Sequence, residues 1–401
     1  MYDNRVLFHL LLSKRLILSD TLGRWHPVQL AKHLHSHTPV LPLPASRPEQ
    51  PLGAPAFVSK IINCATALDS VMSVTSEPNN TMATTNTVTN AEQSNEDSLH
   101  TKLDRIFNSS TTSGPVPVHY SIEIAAKDDF DIDQLKRLTP QPVFCALPWV
   151  SDDNLRYADD FLRSPTLQLT ARLRENQYTV LNNVSCYNIT EQQVDQLLRS
   201  TGIRNLFVIR GDTVSPGQQF QNSAGLVQYL RTWQEQQPDH RQLTIAVGGY
   251  PYGHHQSSSQ TEELHYLQAK ISQGANFLLT QTLYDAPSFL RYRDRCREAG
   301  ISIPIIPGIY VPHSYRHLQA LLNLTHIDLG PTVRDAFEAH AHDAPDQFQA
   351  FMVEYFVGVV RELLQLNATT SSDPIKLVHF FTFNKFHLLQ QVLEKLGEFF
   401  K

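Results

Sequence analysis

The sequence predicts an α/β fold, a (β/α)8 TIM barrel preceded by a disordered N-terminal segment. From Lys102 onward, apolar runs of strand length alternate with amphipathic helical patterns, and eight such runs occur within about 300 residues. Continuous apolar strands flanked by helices indicate a parallel sheet that helices cover. Eight strand–helix units fit a closed barrel better than an open doubly wound sheet, which normally has fewer strands.

Residues 1–101 differ in composition from the rest of the chain. A Pro-rich stretch, PVLPLPASRPEQPLGAP, precedes the Ser/Thr/Asn-rich SVTSEPNNTMATTNTVTNAEQSNEDS. Such segments have too little apolar surface to offset the entropy lost on ordering. We therefore predict a disordered extension over residues 1–101, of undetermined role, and a barrel domain over residues 102–401.

Eight runs supply the predicted strands, in the order VHYSIEIA, PVFCALPWV, YTVLNNVSC, NLFVIRG, LTIAVGGY, NFLLTQTLY, IPIIPGIY and KLVHFFTFN. Among the helices between them, NITEQQVDQLLRSTG has Thr190 as its predicted N-cap and Gly202 as its stop. Another, TEELHYLQAKISQGA, is predicted to end at Gly274. The segment DQFQAFMVEYFVGVVRELLQL predicts an extra helix before the last strand.

Charge and composition narrow the class of ligand. The 401 residues carry a formal net charge of -6, which argues against nucleic acid because phosphate neutralisation needs clustered Lys and Arg. No run approaches the roughly 20 apolar residues of a membrane-spanning helix. The cysteine and histidine spacings do not match metal sites. We expect a small-molecule ligand, no metal ion, no membrane association, reduced and buried thiols, and a cytoplasmic location. The sequence does not decide whether the protein forms a homo-oligomer.

In such barrels the active site lies at the C-terminal ends of the strands. The residues that close the predicted runs are therefore the candidates: Glu123, Trp149, Ser185, Arg210 to Asp212, Tyr250 to His254, Gln281 to Tyr284, Gly308 to Tyr310, and Asn384 with Lys385.

Glu123 ends the first strand on the same face as Ser121. Inside a barrel mouth, desolvation would raise the pKa of this carboxyl, as a general acid near neutral pH requires. The alternative is an outward-facing residue paired with Lys127. The pattern does not decide between them.

The triplet Arg210-Gly211-Asp212 ends the fourth strand. Glycine permits close backbone approach to a ligand, arginine can hold a phosphate or a carbonyl-rich ring, and aspartate offers fixed negative charge. As an adhesion signal the triplet would need a protruding extracellular loop, and nothing upstream indicates secretion.

The loop after the fifth strand combines Gly248 and Gly249 with Tyr250, which could stack on a planar ring, and with His254 and His255, which could donate to phosphate. Glu263 and Lys270 follow seven residues apart on one helix face. The alternatives are a surface-loop histidine and an exposed charged face. Neither a Walker A nor a GxGxxG sequence occurs.

Taken together, the strand ends resemble the methylenetetrahydrofolate reductase family, flavin enzymes that make 5-methyltetrahydrofolate. The resemblance covers about residues 116–400 and rests on five segments in order: GIRNLFVIRGD, GYPYGH, KISQGANFLLTQTLYD, FLRYRDRCREAGISIPIIPGI and HFFTFNK.

The resemblance implies FAD as cofactor, NADPH or NADH as electron donor and 5,10-methylenetetrahydrofolate as substrate, with the product serving methionine synthesis. It implies that Glu123 protonates N10 and opens the ring to an iminium at N5, and that Asp212 favours this cation. The implied flavin contacts are Arg210, Gly211, Asp212, Asn222, Ser223, Tyr250, His254, Glu263 and Lys270. The implied substrate contacts are Asp212, Gln281 and Lys385.

The chain also departs from the family pattern. Asn183 stands where the family usually has His, Phe381 where it has Tyr, and Lys385 where it has Arg. Asn222 stands where the family has a Tyr in its flavin loop. After the acidic residue Glu123, the segment IAAK replaces the family's Phe-Phe-Pro-Pro. Lysine keeps the charge of arginine but loses its planar fork. The retained Glu123, Asp212 and Gln281 favour a working but divergent reductase. The substitutions at Asn183 and Lys385 keep open a catalytically weakened flavin- or folate-binding barrel acting as a partner or regulatory subunit. A third hypothesis is another flavin barrel oxidoreductase of similar architecture.

The chain stops at Lys401, directly after the final predicted barrel helix. Animal-type family members carry a further C-terminal domain that senses S-adenosylmethionine. The resemblance therefore leads us to expect no such feedback inhibition.

Overall fold

The computed structural model describes residues 98–109, 117–127, 130–149, 153–211, 214–237, 242–370 and 373–401. The predicted N-terminal extension, residues 1–101, lies outside these ranges apart from its last four residues. Helix α1, Leu99–Asn108, begins after the N-cap Ser98 and crosses the predicted boundary between residues 101 and 102.

Eight parallel strands close into a barrel in sequential order. They are β1 His119–Glu123, β2 Cys145–Leu147, β3 Val180–Ser185, β4 Asn205–Ile209, β5 Thr244–Gly249, β6 Phe277–Leu283, β7 Ile305–Tyr310 and β8 Leu377–Phe381. The last strand pairs with the first from His119↔Leu377 to Glu123↔Phe381. The predicted barrel and its eight strands are confirmed.

Helices cover the outside of the barrel. After α1, the described helices are α2 Ile132–Lys136, α3 Asp153–Arg156, α4 Pro165–Glu175, α5 Glu191–Thr201, α6 Ser223–Glu235, α7 Gln260–Ser272, α8 Ala286–Glu298, α9 Tyr315–Thr325, α10 Pro331–Ala339, α11 Pro345–Thr370 and α12 Phe386–Lys395, with a 3-10 turn at Phe161–Arg163. No helix in these described ranges is long and apolar enough to cross a membrane.

The predicted helix ends agree with the structure. Thr190 forms a capping box at the start of α5, and Gly202 ends the helix with a left-handed φ of 63°. Helix α7 ends at Ser272, two residues before Gly274. The extra helix before β8 is confirmed as α11, and α10 precedes it as a second helix that the sequence did not predict.

Two apolar cores hold the barrel together. The larger lies between the strands and the helices and includes Leu206, Ile245 and Val360. The smaller fills the barrel interior with side chains such as Phe144, Phe207, Ile306 and Leu377, and it includes Leu99 and Leu103 of α1. Since α/β barrels are packed cores and not pores, this interior leaves ligand space only near a barrel end.

Helix α1 lies at the N-terminal end of the barrel. Its Lys102 Nζ donates to Thr179 Oγ1 over 2.7 Å, just before β3 begins. Lys376 Nζ, just before β8 begins, donates to the carbonyl oxygen of Phe107 over 2.9 Å. The N-terminal end is therefore covered by α1, and the candidate residues lie at the opposite end.

Candidate active site

The strand register places the interior side chains in layers. The registers add up to a stagger of about eight residues around the barrel, which brings side chains from alternate strands into one layer. One layer near the C-terminal end consists of Glu123, Asn183, Gly248 and Gly308. The next layer towards the mouth consists of Ala125, Ser185, Tyr250 and Tyr310.

Two glycines, Gly248 and Gly308, add no side chain to the first of these layers, and neighbouring residues pack closely against them. A Cβ on Gly308 would lie 2.4 Å from the carbonyl oxygen of Thr280, so no larger residue fits there. Glu123 and Asn183 supply the polar groups. Within the described chain, Glu123 Oε1 and both amide atoms of Asn183 are buried and have no hydrogen-bonding partner. Such groups are costly to bury alone, so the layer is suited to receive a polar ligand.

Glu123 is a buried carboxyl at the end of β1. It is only 2% exposed, and burial raises its pKa well above the ordinary value. It pairs in register with Phe381 of the interior core. The outward-facing alternative beside Lys127 does not hold, and the carboxyl can carry a proton at neutral pH.

A buried polar pair, Ser121 and His379, lies next to Glu123 on the side towards the N-terminal end of the barrel. Ser121 Oγ and His379 Nδ1 are 2.9 Å apart, and both side chains are fully buried. Burial lowers the pKa of His379 to about 3, so the ring is neutral. Sequence reasoning missed His379; its only signal was the alternation with Phe381 in HFFTFN, which places both on one strand face.

Close packing explains the glycine after β4. Gly211 has a φ of 92°, and a Cβ there would lie 2.7 Å from Ser185 Oγ and 3.0 Å from Tyr187 Cβ. Arg210, just before it, donates through Nη2 to Gln256 Oε1, while its buried Nε has no partner among the described residues. Asp212 lies outside the described residues, so its role stays a prediction.

Four predicted flavin contacts meet beside β5. The Tyr250 and His254 rings are 4.8 Å apart, and Lys270 Nζ is 6.0 Å from the centre of the Tyr250 ring. Glu263 Oε2 accepts from the backbone N–H of His254 over 3.3 Å. His254 Nε2 and Glu263 Oε1 are buried without a partner in the described chain. A cluster of this kind offers unsatisfied polar groups to a ligand.

Electrostatics couple the charged members of this cluster. Burial raises the pKa of Glu263 to about 7, against the opposing effects of the His254 amide and Lys270. Burial also lowers the pKa of Lys270 to about 8, while Glu263 raises it. The pKa of His254 falls to about 3, chiefly through burial and then through nearby cations. These values do not fit an exposed charged face, and Glu263 and Lys270 each affect the pKa of the other.

Asn222 and Ser223 have structural roles at the start of α6. Asn222 Oδ1 accepts from the backbone N–H of Gly225 over 3.0 Å and so caps the helix. Ser223 is buried and hydrogen-bonds to Cys186, and burial raises the pKa of that thiol to about 12. A flavin contact by either residue stays a prediction.

The predicted substrate contacts lie on two further strand ends. A register irregularity between Leu279 and Thr282 of β6 surrounds Gln281, and such bulges re-aim side chains near active sites. Gln281 Oε1 is buried and has no partner within the described ranges. Lys385 is the N-cap residue of α12 and is half-buried. Their contact with a substrate stays a prediction.

No group of three or more His, Cys, Asp or Glu side chains in the described residues is placed to hold a metal ion.

The chain is similar to curated proteins that are named methylenetetrahydrofolate reductases. The chain is 31% identical over 201 residues to "Probable methylenetetrahydrofolate reductase (NADPH)" of Caenorhabditis elegans, covering 50% of this chain and 29% of that protein. It is 27% identical over 219 residues to the "5,10-methylenetetrahydrofolate reductase" of Pectobacterium carotovorum, covering 54% and 68%. The chain thus spans under a third of the nematode relative.

Among solved structures, an uncharacterized protein from Clostridium thermocellum, described as binding two copies of 5-methyl-5,6,7,8-tetrahydrofolic acid, matches with a TM-score of 0.48. The match has 12% identity and covers 74% of this chain and 98% of that one. A similarity this remote carries no argument about function.

A family model described as methylenetetrahydrofolate reductase matches residues 131–397, well over half of the sequence and most of the barrel. The match includes all the strands from β2 to β8. This chain belongs to the methylenetetrahydrofolate reductase family.

Proposed function

We propose that this chain is a flavin-dependent reductase that converts 5,10-methylenetetrahydrofolate to 5-methyltetrahydrofolate with electrons from NADPH or NADH, for methionine synthesis. The observation that carries the proposal is the buried carboxyl of Glu123, whose pKa is raised by burial, at the end of β1 in a chain of this family. Reduction at the one-carbon bridge needs N10 to leave from C11 of the bridge, and a carboxylic acid can protonate it.

The residues beside β4 and β5 fit a flavin nucleotide. Arg210, His254 and Glu263 each keep a buried polar atom without a partner in the described residues. Gly211 packs against Ser185 and Tyr187 at the end of β4, so a side chain there would displace residues beside this cluster. Lys270 and Arg210 would face phosphate, and Tyr250 a planar ring. A bound FAD would supply hydride transfer from NADPH or NADH to the one-carbon group of the substrate.

The other residues would handle the folate. Glu123 would hold its proton until the substrate occupies the layer and then deliver it to N10. Asp212 would place its negative charge near the cation that forms at N5. Gln281 and Lys385 would orient the folate, the lysine as a point charge without a bidentate fork.

One observation favours a second candidate, the weakened barrel that binds flavin or folate and acts as a partner or regulatory subunit. Asn183 stands where the family pattern has His, and its amide is buried without a partner in the described chain. A loss of ligand contacts at this position would reduce catalysis while leaving the barrel folded.

Separate half-reactions distinguish the candidates. The full chain would be purified with FAD, and its visible spectrum would show whether flavin binds. Anaerobic reduction by NADPH or NADH would be followed by reoxidation with methylenetetrahydrofolate. We expect both steps; bound flavin that is reduced but not reoxidised by the folate would favour the weakened barrel, and absence of flavin binding would contradict the proposal.

A further inference from the structure

The turn that follows β8 has an unusual backbone. Residues 382–385 form a tight turn closed by a 2.7 Å hydrogen bond from Lys385 N to the carbonyl oxygen of Thr382. The two central residues, Phe383 and Asn384, have φ values of 47° and 60°. Two successive left-handed residues are typical of a type I′ turn, where Gly and Asn are preferred. A phenylalanine there is an outlier that the surrounding contacts must hold.

Packing holds the turn on one side. Phe383 is buried, and its ring lies 4.8 Å from the Tyr310 ring and 4.8 Å from the His317 ring. Tyr310 ends β7 and His317 lies in α9. The turn is therefore fixed against the neighbouring strand and helix.

Hydrogen bonds to β1 hold the turn on the other side. Asn384 Nδ2 donates to the carbonyl oxygen of Ala125 over 3.0 Å, and Asn384 Oδ1 accepts from the N–H of Ala125 over 2.9 Å. Thr382 Oγ1 donates to the carbonyl oxygen of Glu123 over 2.6 Å and accepts from the N–H of Asn384 over 3.0 Å. Side chains thus continue the β1–β8 ladder, whose backbone pairs end at Glu123↔Phe381.

The end of β1 depends on these contacts. Residues 124–127 form no regular secondary structure. On the other side, β2 is only three residues long, and Ile124 N donates to the carbonyl oxygen of Ala146 over 2.9 Å. Without the turn after β8, the backbone around Glu123 would be held mainly by this short strand.

We propose that Asn384 and Thr382 are positioning residues that hold the end of β1 and so keep the Glu123 carboxyl in its interior layer. This inference rests on the proposed role of Glu123 as the proton donor. A displacement of a reacting group by about 1 Å can cost on the order of a hundredfold in rate. The clamp formed by these bonds, at the carbonyl of Glu123 itself and at Ala125 two residues later, is therefore significant.

Three substitutions separate the clamp from the turn. Asn384→Gly removes the carboxamide and keeps the left-handed backbone accessible. Asn384→Asp keeps the acceptor for Ala125 N and places an oxygen opposite Ala125 O. Thr382→Val removes the hydroxyl, and with it the bonds to Glu123 O and from Asn384 N, and keeps the two left-handed residues Phe383 and Asn384. The matched control is Asn188→Gly, which makes the same change at another left-handed asparagine with a φ of 50°.

A flavin-free measurement tests the clamp itself. Amide hydrogen exchange of Ala125 should be faster in Asn384→Gly than in the wild type by about tenfold or more, because local opening no longer breaks two hydrogen bonds. The Asn188→Gly control should exchange at the wild-type rate. Unchanged exchange at Ala125 in Asn384→Gly would overturn the inference.

Half-reactions test the consequence for Glu123. In Asn384→Gly, Asn384→Asp and Thr382→Val we expect reoxidation by saturating methylenetetrahydrofolate to slow by about tenfold, with a shifted pH profile, while flavin reduction by NADPH stays within about twofold. The positioning inference would be overturned if both half-reactions slowed equally with an unshifted pH profile, or if reoxidation kept the wild-type rate. Glu123→Gln is measured alongside. If flavin in Glu123→Gln is reoxidised at the wild-type rate, the proposed function fails. If reoxidation is slow in Glu123→Gln but normal in the Asn384 and Thr382 variants, the positioning inference alone fails.

Discussion

The carboxyl of Glu123 and the carboxamide of Asn183 belong to one interior layer of the barrel, and in the described chain neither has its hydrogen-bonding capacity filled. Strands β1 and β3 deliver them from segments that lie far apart in the sequence. The glycines of β5 and β7 complete the layer without adding side chains. Several consequences of this arrangement are measurable.

Asn183→Leu should stabilise the ligand-free protein and weaken ligand binding. The substitution removes two buried polar atoms that have no partner in the described residues, and an apolar group of similar size removes that desolvation cost of about 1–3 kcal/mol. The neighbouring Asn182→Leu is the matched control, because Asn182 Nδ2 donates to Thr170 Oγ1 over 2.6 Å and its loss should destabilise. Urea unfolding measures the free energy of unfolding of both variants. If Asn183→Leu destabilised the protein as much as Asn182→Leu, the Asn183 amide would have its hydrogen bonds within the fold.

Gly211→Ala should reduce flavin affinity and the free energy of unfolding. A Cβ at this position would meet Ser185 Oγ at 2.7 Å, and the φ of 92° is unfavourable for alanine. Gly217→Ala is the control, since its φ of 79° is similar but a Cβ there meets no described atom within 4 Å. We expect a loss of about 1 kcal/mol from the backbone alone at Gly217 and a larger loss at Gly211. Thermal unfolding and FAD titration measure the two effects; equal losses would remove the close-packing argument.

FAD affinity should fall as the pH rises through about 8, because burial lowers the pKa of Lys270 to about 8 and the lysine loses its charge there. Lys270→Arg should remain charged and flatten this dependence. Equilibrium titration of FAD across that range measures it. A wild-type affinity that does not change across it would contradict a role of Lys270 in holding phosphate.

Stability should respond to pH through Glu123. Burial raises the pKa of this carboxyl in the folded protein, so the folded chain keeps a proton that the unfolded chain releases near the ordinary pKa of 4.5. The contribution to the free energy of unfolding is therefore present below that value and falls as the pH rises, by up to about 1.4 kcal/mol per pH unit until the folded-state pKa is reached. Urea unfolding of the wild type and Glu123→Gln should show the steeper decline only in the wild type; parallel pH slopes would argue against a buried protonated carboxyl.

The fold could be predicted from the sequence because its signals are local. Each strand is a short apolar run, and Thr190 and Gly202 mark both ends of α5 with side-chain and backbone requirements that a sequence displays. The strand-end rule pointed to Tyr250 and His254, and the helix that follows them added Glu263 and Lys270 by their spacing on one face.

The remainder of the site depends on contacts between distant segments. Ser121 and His379 meet only because the barrel closes between β1 and β8, and no local pattern shows that pairing. Gln281 lies at a register irregularity that exists only in the β6–β7 pairing. The capping role of Asn222 is visible in its position before an amphipathic helix, whereas the family correspondence predicts a flavin contact there.

The most direct test of the proposed function is a stopped-flow comparison of wild type and Glu123→Gln, each loaded with FAD and reduced by NADPH. The proposal predicts that flavin reduction stays within about twofold of the wild type and that reoxidation by methylenetetrahydrofolate slows by at least about a hundredfold, the range of a lost general acid. Loss of both half-reactions to the same extent, or reoxidation at the wild-type rate, would contradict the assignment of Glu123 as the proton donor.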